Sequence, residues 1–446
     1  MPSTYKTVIL GGGNASGYAA KAFVESGIAP GDLAIVTEEP YVAYERPALS
    51  KGYLLGAARL PGFHTCVGGG GERQAPEWYA EKGITYLTNA HVTKADLAAR
   101  TLTLASGDTI SYSQNLIIAT GARAVKLTEF GVPGADLSGI HYLRDVKDAD
   151  ALVAAVAATK EASGKAVIVG GGYIGMECAA GLASTGLAGA TTIVMPEDRL
   201  MARLLTPQLA AVYERLYGAK GVAVVKGAKV TAFTGKDGKV TGVTYTDAAG
   251  ASHTLEASLV VVGVGARANT ELFTGQLDMA AGGIKVDYMM ATSVPGVYAV
   301  GDVAAFPLTS VATGAVAHAR QEHVTHCRSS AAQAVKAITS TSAPPPAYEY
   351  LPYFYSRVFN LSWVFYGEAA ADATTVHFGD MNEAKVFGCL WLGAGGRLVG
   401  AFLEGGSADE AGVLKSAVAQ GLKGLEAAAL DTASGSGLVA ALKAKL

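Results

Sequence analysis

Hydrophobic residues along the chain occur in short runs that stop at glycine clusters, and one such pattern begins near the N-terminus. The apolar run at residues 8–10 leads into glycines 11–13, a helix is expected to continue to about Ser26, and the apolar run at residues 33–36 precedes Glu38. Short apolar runs bounded by turn residues are typical of buried parallel strands. The segment therefore predicts a strand, a helix and a second strand that leads to an acidic residue.

The same pattern returns further along the chain. An apolar run leads into glycines 170–172, and the next apolar strand leads to Glu197. In both copies the acidic residue follows the first glycine by 27 positions, from Gly11 to Glu38 and from Gly170 to Glu197. Two independent matches at one spacing are far less expected by chance than one, so we interpret both segments as the same functional unit.

Other apolar runs extend this plan. One ends at the turn Ala119, Thr120 and Gly121, and another, at residues 260–262, ends at a turn that contains Gly265. Because the second unit lies between these runs, we expect the first domain to be interrupted by the second and to resume near residue 255. Its last strand is predicted at residues 297–302.

The last part of the chain has a different pattern. A helix is predicted for about residues 314–338. Residues 340–346 suit a linker, because the prolines at 344–346 cannot continue the helix. Short strands in succession then predict an antiparallel sheet; they are expected at residues 353–358, 362–366, 374–378, 385–392 and 398–403, and a helix at about 409–422.

The predicted fold class is α/β. Two Rossmann-like dinucleotide-binding domains are expected, with the second inserted in the first, plus a C-terminal α+β domain. The boundaries are 1–122 and 255–339 for the first domain, 123–254 for the second, and 347–446 for the third.

Composition and charge narrow the classes of function. The 446 residues are 50% hydrophobic and 16% charged and include 56 glycines, which indicates a packed enzyme of several domains rather than a disordered chain. No apolar run reaches the roughly 18 residues of a membrane span. A formal net charge of −3 gives no overall attraction to phosphate backbones, so no nucleic-acid partner is expected.

The cysteines and the chain ends bear on location. Cys66, Cys178, Cys327 and Cys389 form no CxxC pair, which argues against zinc sites and disulfides and favours a reducing compartment. Because the N-terminus leads directly into a predicted strand, no signal peptide is expected. The final residues, Ala444-Lys445-Leu446, resemble a peroxisomal address, so a cytoplasmic and a peroxisomal location both stay open.

The glycine clusters suit a specific chemistry. A strand that turns into a helix binds phosphate because unpaired amides at the helix N-terminus point at the anion. Gly170, Gly172 and Gly175 match the full dinucleotide motif, and Glu197 is placed to accept hydrogen bonds from ribose hydroxyls. In the first cluster Gly11 and Gly13 are present but Ser16 takes the third position. Two such sites on one chain suggest a bound flavin and an exchangeable nicotinamide cofactor.

Longer motifs carry a resemblance to a known family. They are Tyr-Glu-Arg-Pro-Ala-Leu-Ser-Lys at 44–51, Arg-Leu-Pro-Gly-Phe-His at 59–64, the glycine motif at 170–175, Ser-Val-Pro-Gly-Val-Tyr-Ala-Val-Gly-Asp at 293–302 and Leu-Pro-Tyr-Phe-Tyr-Ser-Arg at 351–357. With these motifs the chain resembles the FAD-dependent pyridine-nucleotide reductases over nearly its whole length, and within them the monodehydroascorbate reductases.

The resemblance implies roles for individual residues. Gly11, Gly13 and Glu38 would hold the adenosine half of FAD, Arg46 and Lys51 would lie near the flavin ring, and Asp302 would bind the ribityl or pyrophosphate region. Glu177 would pair with Lys51, Tyr355 would lie against the flavin, and Arg320 and Tyr348 would contact an anionic organic radical. Further cofactor contacts are expected at Ser16, Ala119, Thr120, Gly121, Tyr173, Ile174, Gly265, Glu322 and His323.

The resemblance also implies a reaction. NADH, favoured over NADPH because Glu197 repels a 2′-phosphate, would give a hydride to the flavin, and two monodehydroascorbate radicals would each take one electron. The alternatives are a reductase of a ferredoxin-type protein and a flavin-binding interaction protein with little turnover. His318, Glu322, His323 and His326 have the spacing of a metal-binding helix face, but no metal is expected there.

Overall fold

The fold is described by a computed structural model that covers residues 3–341, 343–383, 385–430, 432 and 434–446. Its α-helices are α1 (Asn14–Glu25), α2 (Pro76–Glu81), α3 (Val146–Glu161), α4 (Tyr173–Leu182), α5 (Pro207–Ala219), α6 (Val324–Thr339), α7 (Ala408–Ala419) and α8 (Gly435–Lys443). Short helical turns lie at Arg46–Ala48, Leu49–Tyr53, Val67–Gly69, Leu127–Phe130, Ala183–Leu187, Glu271–Phe273, Gly301–Val303, Ala394–Gly396 and Ala427–Ala429. No helix within the described ranges has both the length and the apolar composition needed to cross a membrane.

The strands of the first half are β1 (Ser3–Leu10), β2 (Leu33–Val36), β3 (Thr85–Leu87), β4 (Val92–Asp96), β5 (Thr101–Leu104), β6 (Thr109–Ile118), β7 (Ala122–Ala124), β8 (Ile140–His141), β9 (Ala166–Val169), β10 (Thr191–Val194) and β11 (Val222–Val225). The remaining strands are β12 (Lys229–Lys236), β13 (Lys239–Thr246), β14 (Ser252–Glu256), β15 (Leu259–Val262), β16 (Ala266–Ala268), β17 (Met279–Ala280), β18 (Gly283–Lys285), β19 (Val297–Ala299), β20 (Ala304–Thr309), β21 (Val316–Ala319), β22 (Tyr353–Val358), β23 (Leu361–Gly367), β24 (Thr374–Gly379), β25 (Phe387–Gly393) and β26 (Arg397–Glu404).

The first sheet contains the first glycine motif. Its order is β3-β2-β1-β6-β5-β4, and β19 pairs with β6. β1 runs parallel to β2 and to β6, so the chain turns that follow these three strands meet at one edge of the sheet. The last strand predicted for this domain is confirmed in part, because β19 runs parallel to β6.

The second sheet contains the second glycine motif. Its order is β11-β10-β9-β15-β8, and its paired strands are parallel. The return to the first domain predicted near residue 255 is too early, because β15 pairs with β9. The apolar run of β15 resembles that of β6, and periodicity alone does not say which sheet a buried strand joins. The other domain boundaries stay predictions.

The C-terminal sheet is antiparallel, as predicted, with the order β22-β23-β26-β25-β24. Its side chains contribute to two cores. One core is formed with α7 and α8 and includes Leu390, Leu414 and Leu438. The other joins the sheet to α5 of the second unit, where Tyr213 packs in the same cluster as Phe402. The C-terminal sheet and the second unit therefore share a hydrophobic core.

The helix predicted for residues 314–338 is wrong in its first part. β21 pairs with β20 in an antiparallel hairpin, and α6 begins only at Val324. The hairpin turn is closed by the hydrogen bond from the Ser310 amide to the Ala315 carbonyl, 2.9 Å, and Gly314 supplies the positive φ of +74° that this turn needs. Of the predicted linker, residue 342 lies outside the described residues.

Candidate active site

A cavity of about 1100 Å³ lies at the edge of the first sheet where β1, β2 and β6 end. It is lined from both glycine-motif units and from the C-terminal sheet. The predicted site residues in its lining are Gly11, Gly13, Glu38, Arg46, Lys51, Ala119, Thr120, Gly121, Tyr173, Ile174, Glu177, Asp302, Glu322, His323 and Tyr355. The structure thus brings together positions that are up to 344 residues apart, from Gly11 to Tyr355.

The first glycine turn leaves the start of α1 open to this cavity. No side chain caps α1 at Gly13, so its first amides are available to an anion. A Cβ atom on Gly11 would lie 2.3 Å from the Ala119 carbonyl oxygen, so close packing of the two strand ends requires glycine there. Ser16 does not line the cavity; its buried hydroxyl donates to the Gly11 carbonyl, 2.6 Å, and supports the turn from below.

At one end of the cavity, carboxylates follow β2. Glu38 lies in the lining with an exposed side chain, and its carboxylate accepts a hydrogen bond from His91 Nδ1 at 2.8 Å. The neighbouring Glu39 forms an ion pair with Arg46. Arg46 also donates to the Arg144 carbonyl oxygen, 3.0 Å, so its guanidinium is fixed between the first sheet and the loop after β8. Glu39 and His91 also line the cavity but were not predicted.

The lysine and glutamate predicted to pair are in contact. Lys51 Nζ lies 2.7 Å from Glu177 Oε2, and Glu177 is 4% exposed. The hydroxyls of Ser50 and Ser356 also donate to this carboxylate. A buried charge is tolerated when it is paired and hydrogen-bonded. Because Ser50 and Lys51 follow the first motif, Glu177 lies on α4 and Ser356 lies on β22, three parts of the chain meet at one carboxylate.

Asp302 faces the middle of the cavity. Arg144 Nη2 lies 3.3 Å from Asp302 Oδ2, and the Cys327 thiol donates to Asp302 Oδ1 at 3.4 Å. Burial raises the pKa of the Cys327 thiol well above its ordinary value, so the sulfur stays protonated. The sequence prediction missed Arg144, which follows the two-residue strand β8. Such a short strand gives no periodic signal.

Aromatic and titratable groups close the other end. The His323 ring meets the Tyr355 ring edge to face at 5.1 Å. Burial lowers the pKa of His323 to about 4, so its imidazole is neutral at neutral pH. Burial also raises the pKa of the Tyr355 hydroxyl and of the Glu322 carboxyl. At neutral pH, His323 and Tyr355 are therefore uncharged, and they present hydrogen-bonding groups to the cavity.

The second glycine motif lies outside the lining, except where α4 begins. A Cβ on Gly175 would lie 2.1 Å from the Gly170 carbonyl oxygen, so α4 packs tightly on the end of β9. A Cβ on Gly172 would meet no atom within 4 Å. Glu197 is exposed beyond the end of β10, and Gly265 is exposed after β15. The motif therefore combines one glycine needed for packing with one that faces open space.

The predicted substrate residues also lie outside the cavity lining. Arg320 donates to the Asp302 carbonyl oxygen, 3.0 Å, and to Glu322, 2.7 Å, and its Nε donates to the Ala281 carbonyl oxygen, 3.1 Å. Tyr348 is 6% exposed, and its hydroxyl is hydrogen-bonded to His326 Nδ1 at 3.0 Å. Arg320 is thus adjacent to the lining residues Asp302 and Glu322, whereas Tyr348 lies behind them in the packed interior.

Known proteins share this arrangement. The family model for pyridine nucleotide-disulphide oxidoreductases matches residues 5–334, and the model for the C-terminal domain of monodehydroascorbate reductase 3-like proteins matches residues 351–434. Monodehydroascorbate reductase of Solanum lycopersicum is 49% identical over 448 aligned positions, which cover 99% of each chain. The chain belongs to the monodehydroascorbate reductases, within the pyridine nucleotide-disulphide oxidoreductase family. It is an FAD-dependent oxidoreductase that uses a pyridine nucleotide.

Further relatives support the family assignment and the fold. Peroxisomal monodehydroascorbate reductase 2 of Oryza sativa subsp. japonica is 50% identical over 97% of this chain and 88% of its own. Among solved structures, a ferredoxin reductase from Rhodopseudomonas palustris superposes with a TM-score of 0.83 at 28% identity, covering 99% of this chain and 100% of its own. The putidaredoxin reductase–putidaredoxin complex, at 24% identity and TM-score 0.83, has the same fold over 99% of both chains.

The residues of the cavity fit the FAD that members of this family carry. The uncapped start of α1 is suited to phosphate, and Glu38 is an exposed acceptor that lies beyond it. The cavity exceeds the 300–1,000 Å³ that are usual for small-ligand sites, as a dinucleotide requires. The open space at Gly172 at the start of α4 suits a second nucleotide in the same way.

Proposed function

We propose that the chain oxidises NADH and reduces two monodehydroascorbate radicals to ascorbate, with one electron passed to each radical. The observation that carries this proposal is one cavity lined by the first glycine turn, the start of α4, the Lys51–Glu177 pair and Tyr355. Bound FAD accepts a hydride from a nicotinamide and passes electrons on singly. Relatives that are 49–50% identical over most of their length and bear the name monodehydroascorbate reductase support the choice of acceptor.

In this proposal, Gly11, Gly13 and Glu38 hold the adenosine side of FAD, and Asp302 holds its ribityl or pyrophosphate region. Arg144, which forms an ion pair with Asp302, keeps that carboxylate oriented toward the cavity. Ala119, Thr120 and Gly121 form the opposite wall. Ser16 acts indirectly, through its hydrogen bond to the Gly11 carbonyl.

Lys51 supplies positive charge beside the site of electron transfer. Its ammonium is fixed by Glu177, which is itself fixed by two serine hydroxyls. A positive charge near the flavin favours the reduced ring. Arg46 adds a second cationic group at the cavity, and Tyr355, His323 and Glu322 line its far end.

NADH binds at the second motif in this proposal. Gly172 allows the pyrophosphate to approach the start of α4, Gly170 and Gly175 keep that helix close to β9, and Tyr173 and Ile174 lie between this motif and the cavity. Gly265 lies in the turn that follows the adjacent strand β15, beside the same edge of the sheet.

We expect a preference for NADH over NADPH. The exposed Glu197 carboxylate would accept hydrogen bonds from free ribose hydroxyls and repel a 2′-phosphate. Glu197→Gln should lower the ratio of kcat/KM for NADH to that for NADPH by about tenfold, the effect of about 1.4 kcal/mol. Glu256→Gln, a change at an exposed glutamate on β14, serves as the control. An unchanged ratio in Glu197→Gln would contradict this assignment.

The acceptor site is proposed near Arg320 and Tyr348. Arg320 is held by Glu322 and by the Asp302 carbonyl, two residues that line the cavity, and a guanidinium suits the oxygens of an organic anion. Tyr348 would act through packing against this region, because its hydroxyl is engaged by His326.

A second candidate is electron transfer to a ferredoxin-type protein, which the structural likeness to a ferredoxin reductase favours. Steady-state NADH oxidation separates the two proposals. Turnover should be fast with ascorbate radical generated by an oxidase, and slow with ferredoxin-type acceptors. The opposite order would favour the second candidate, and slow turnover with both would favour a flavoprotein whose main role is interaction.

We also propose a cytoplasmic or peroxisomal location, which relatives of both kinds support. The C-terminal Ala444-Lys445-Leu446 is the candidate address. A fluorescent protein that ends in the last residues of this chain should enter peroxisomes if the tripeptide is read, and should stay diffuse after deletion of Leu446.

A further inference from the structure

A chain of hydrogen bonds leads out of the large cavity at the start of α6. His323 lines the cavity, and its Nδ1 lies 3.0 Å from the hydroxyl of Thr325, which does not line it. The Thr325 hydroxyl is in turn 2.9 Å from the hydroxyl of Tyr350. Tyr350 also lies outside the lining and is partly exposed. These three side chains therefore form a continuous path from the cavity to a residue that solvent reaches.

The direction of these hydrogen bonds follows from the start of α6. His323 is the N-cap residue, and its Nδ1 accepts a hydrogen bond from the Thr325 amide at 3.4 Å. Burial keeps the ring neutral, because it lowers the pKa of His323 to about 4. A neutral imidazole has one donor and one acceptor nitrogen, so a ring that accepts at Nδ1 carries its proton on Nε2. The Thr325 hydroxyl then donates to Nδ1 and accepts from the Tyr350 hydroxyl.

Nε2 of His323 is the free end of this chain. It hydrogen-bonds to no residue in the part of the chain that the structure describes, and unlike Nε2 of His326 it is not a buried, unpartnered atom. Aromatic rings surround the imidazole, with the centroids of Tyr353, Phe354 and Tyr355 at 5.6, 5.2 and 5.1 Å. The Nε2–H group is thus a donor on a cavity-lining ring that no described acceptor uses.

The proposed reaction needs a donor of this kind because it consumes a proton from solvent. NADH, one proton and two monodehydroascorbate radical anions give NAD⁺ and two ascorbate monoanions, so each radical gains one electron and one proton. The hydride of NADH supplies one of these protons, and solvent must supply the other. A positioned side chain that transfers a proton to a reacting group contributes roughly a hundredfold to ten-thousandfold in rate.

We infer that Tyr350, Thr325 and His323 carry the solvent proton to the electron acceptor. As the acceptor is reduced, His323 gives its Nε2 proton to an acceptor oxygen while Nδ1 takes a proton from Thr325. Thr325 takes a proton from Tyr350, and Tyr350 takes one from water. The starting tautomer returns by exchange with water after the product leaves. The inference rests on the proposed function, because only an acceptor that gains a proton requires this path.

The first test separates the two half-reactions of the FAD-loaded enzyme. Thr325→Val removes the central hydroxyl but keeps the shape of the side chain, so turnover with ascorbate radical should fall about tenfold to a hundredfold. Thr325→Ser keeps the hydroxyl and should turn over at nearly the parent rate. Tyr350→Phe should cost about threefold to tenfold, because water can replace the outer donor. Stopped-flow reduction of the flavin by NADH should keep the parent rate in all three variants, since hydride transfer takes no proton from solvent.

The second test reads the hydrogen bonds directly. Nitrogen-15 NMR of the FAD-loaded enzyme, labelled at its eight histidines, should show His323 with its proton on Nε2, and the spectrum of His323→Gln identifies its signals. Tyr353→Phe is the matched control, because the Tyr353 ring also contacts His323 but its hydroxyl is not part of the chain. This variant should match the parent in turnover and in tautomer.

Three results would overturn the inference. They are a proton on Nδ1 of His323, parent turnover in Thr325→Val, and equal losses in Thr325→Val and Thr325→Ser. A loss of flavin reduction in Thr325→Val as large as its loss of turnover would also overturn it and assign to Thr325 a structural role at the start of α6. Failure of the proposed function gives a different pattern, because the parent itself would then not turn over with the radical, and the inference would fall with it.

Discussion

At the scale of single residues, the Lys51 ammonium is held 2.7 Å from a carboxylate that also accepts two serine hydroxyls. This arrangement fixes the position of one positive charge at the cavity. Because three donors surround Glu177, the loss of Lys51 leaves a buried anion that is still hydrogen-bonded, and the carboxylate can persist in the variant.

Lys51→Met should lower the flavin midpoint potential, because the reduced ring loses a nearby positive charge while much of the apolar stem is kept. A loss of about 2 kcal/mol corresponds to about 40 mV for a two-electron couple. Spectroelectrochemical titration of the bound flavin measures this shift. Lys21→Met is the control, because Lys21 forms an ion pair of the same 2.7 Å with Glu25 on the exposed face of α1. A potential equal to that of the parent would remove Lys51 from this role.

Arg320→Ala should raise KM for the radical by about tenfold to a hundredfold, as expected for loss of a charge-assisted contact of about 1.5–3 kcal/mol. Arg320→Lys should raise KM less than Arg320→Ala does, since lysine keeps the positive charge but lacks the planar guanidinium. Stopped-flow reduction of the flavin by NADH should stay near the parent rate in both variants. If flavin reduction by NADH falls as much as turnover with the radical, Arg320 acts mainly through its hydrogen bonds to Glu322 and to the Asp302 carbonyl, and not through acceptor binding.

At the scale of elements, the glycines of the second motif have different tasks. A methyl group on Gly175 would lie 2.1 Å from the Gly170 carbonyl oxygen, whereas one on Gly172 would meet no atom within 4 Å. Gly175→Ala should therefore push α4 away from β9 and lower the thermal midpoint. Gly172→Ala should leave the midpoint within about 2 °C, since a surface change costs less than about 0.5 kcal/mol, and should raise KM for NADH.

Thermal unfolding and steady-state kinetics with NADH test this pair of variants together. The prediction fails if Gly172→Ala loses stability like Gly175→Ala, because Gly172 would then be a packing residue too. It also fails if Gly172→Ala has the parent KM, because the open space at the start of α4 would not be used by the cofactor.

The sequence patterns predicted where the strands begin and end better than they predicted which strands pair with one another. β2 and β22 begin and end where predicted, because their apolar runs are bounded by turns. The segment before α6 was misjudged, since the turn at Gly314 and the pairing of β21 with β20 depend on contacts that periodicity does not contain. β15 was given to the wrong sheet for the same reason. Arg144 was missed because it gains significance only through its contact with Asp302.

At the scale of the whole molecule, buried histidines couple folding to pH. His326 is fully buried, stacks on Phe306 with ring centroids 4.4 Å apart, and has a pKa that burial lowers to about 4. In the unfolded chain the same ring takes up a proton below about pH 6.5. Between these pH values the unfolded state binds more protons, so stability falls as the pH drops from 6.5 to 4, and this group changes it no further below 4.

His326→Gln should therefore flatten the fall of the thermal midpoint between pH 6.5 and pH 4, where His326 costs the parent up to about 3 kcal/mol. The variant will be less stable at pH 8, because the stacking on Phe306 and the bond to Tyr348 are altered. His318→Gln, at a half-buried ring on β21, is the control for the effect of changing any histidine. Parallel curves for the parent and His326→Gln would assign the acid sensitivity to other groups.

The hydrophobic core that the C-terminal sheet shares with α5 limits how enzymes of this family can be recombined. Tyr213 on α5 packs in one cluster with Phe402 and donates a hydrogen bond of 2.7 Å to the buried Glu404 of β26. A chimaera that takes only residues 347–446 from a relative would pack the α5 of one protein against the C-terminal sheet of another. Additional crossover points before Thr206 and after Ala219 would transfer α5 together with the C-terminal sheet. The part of the chain that must be exchanged as one unit is therefore discontinuous in sequence.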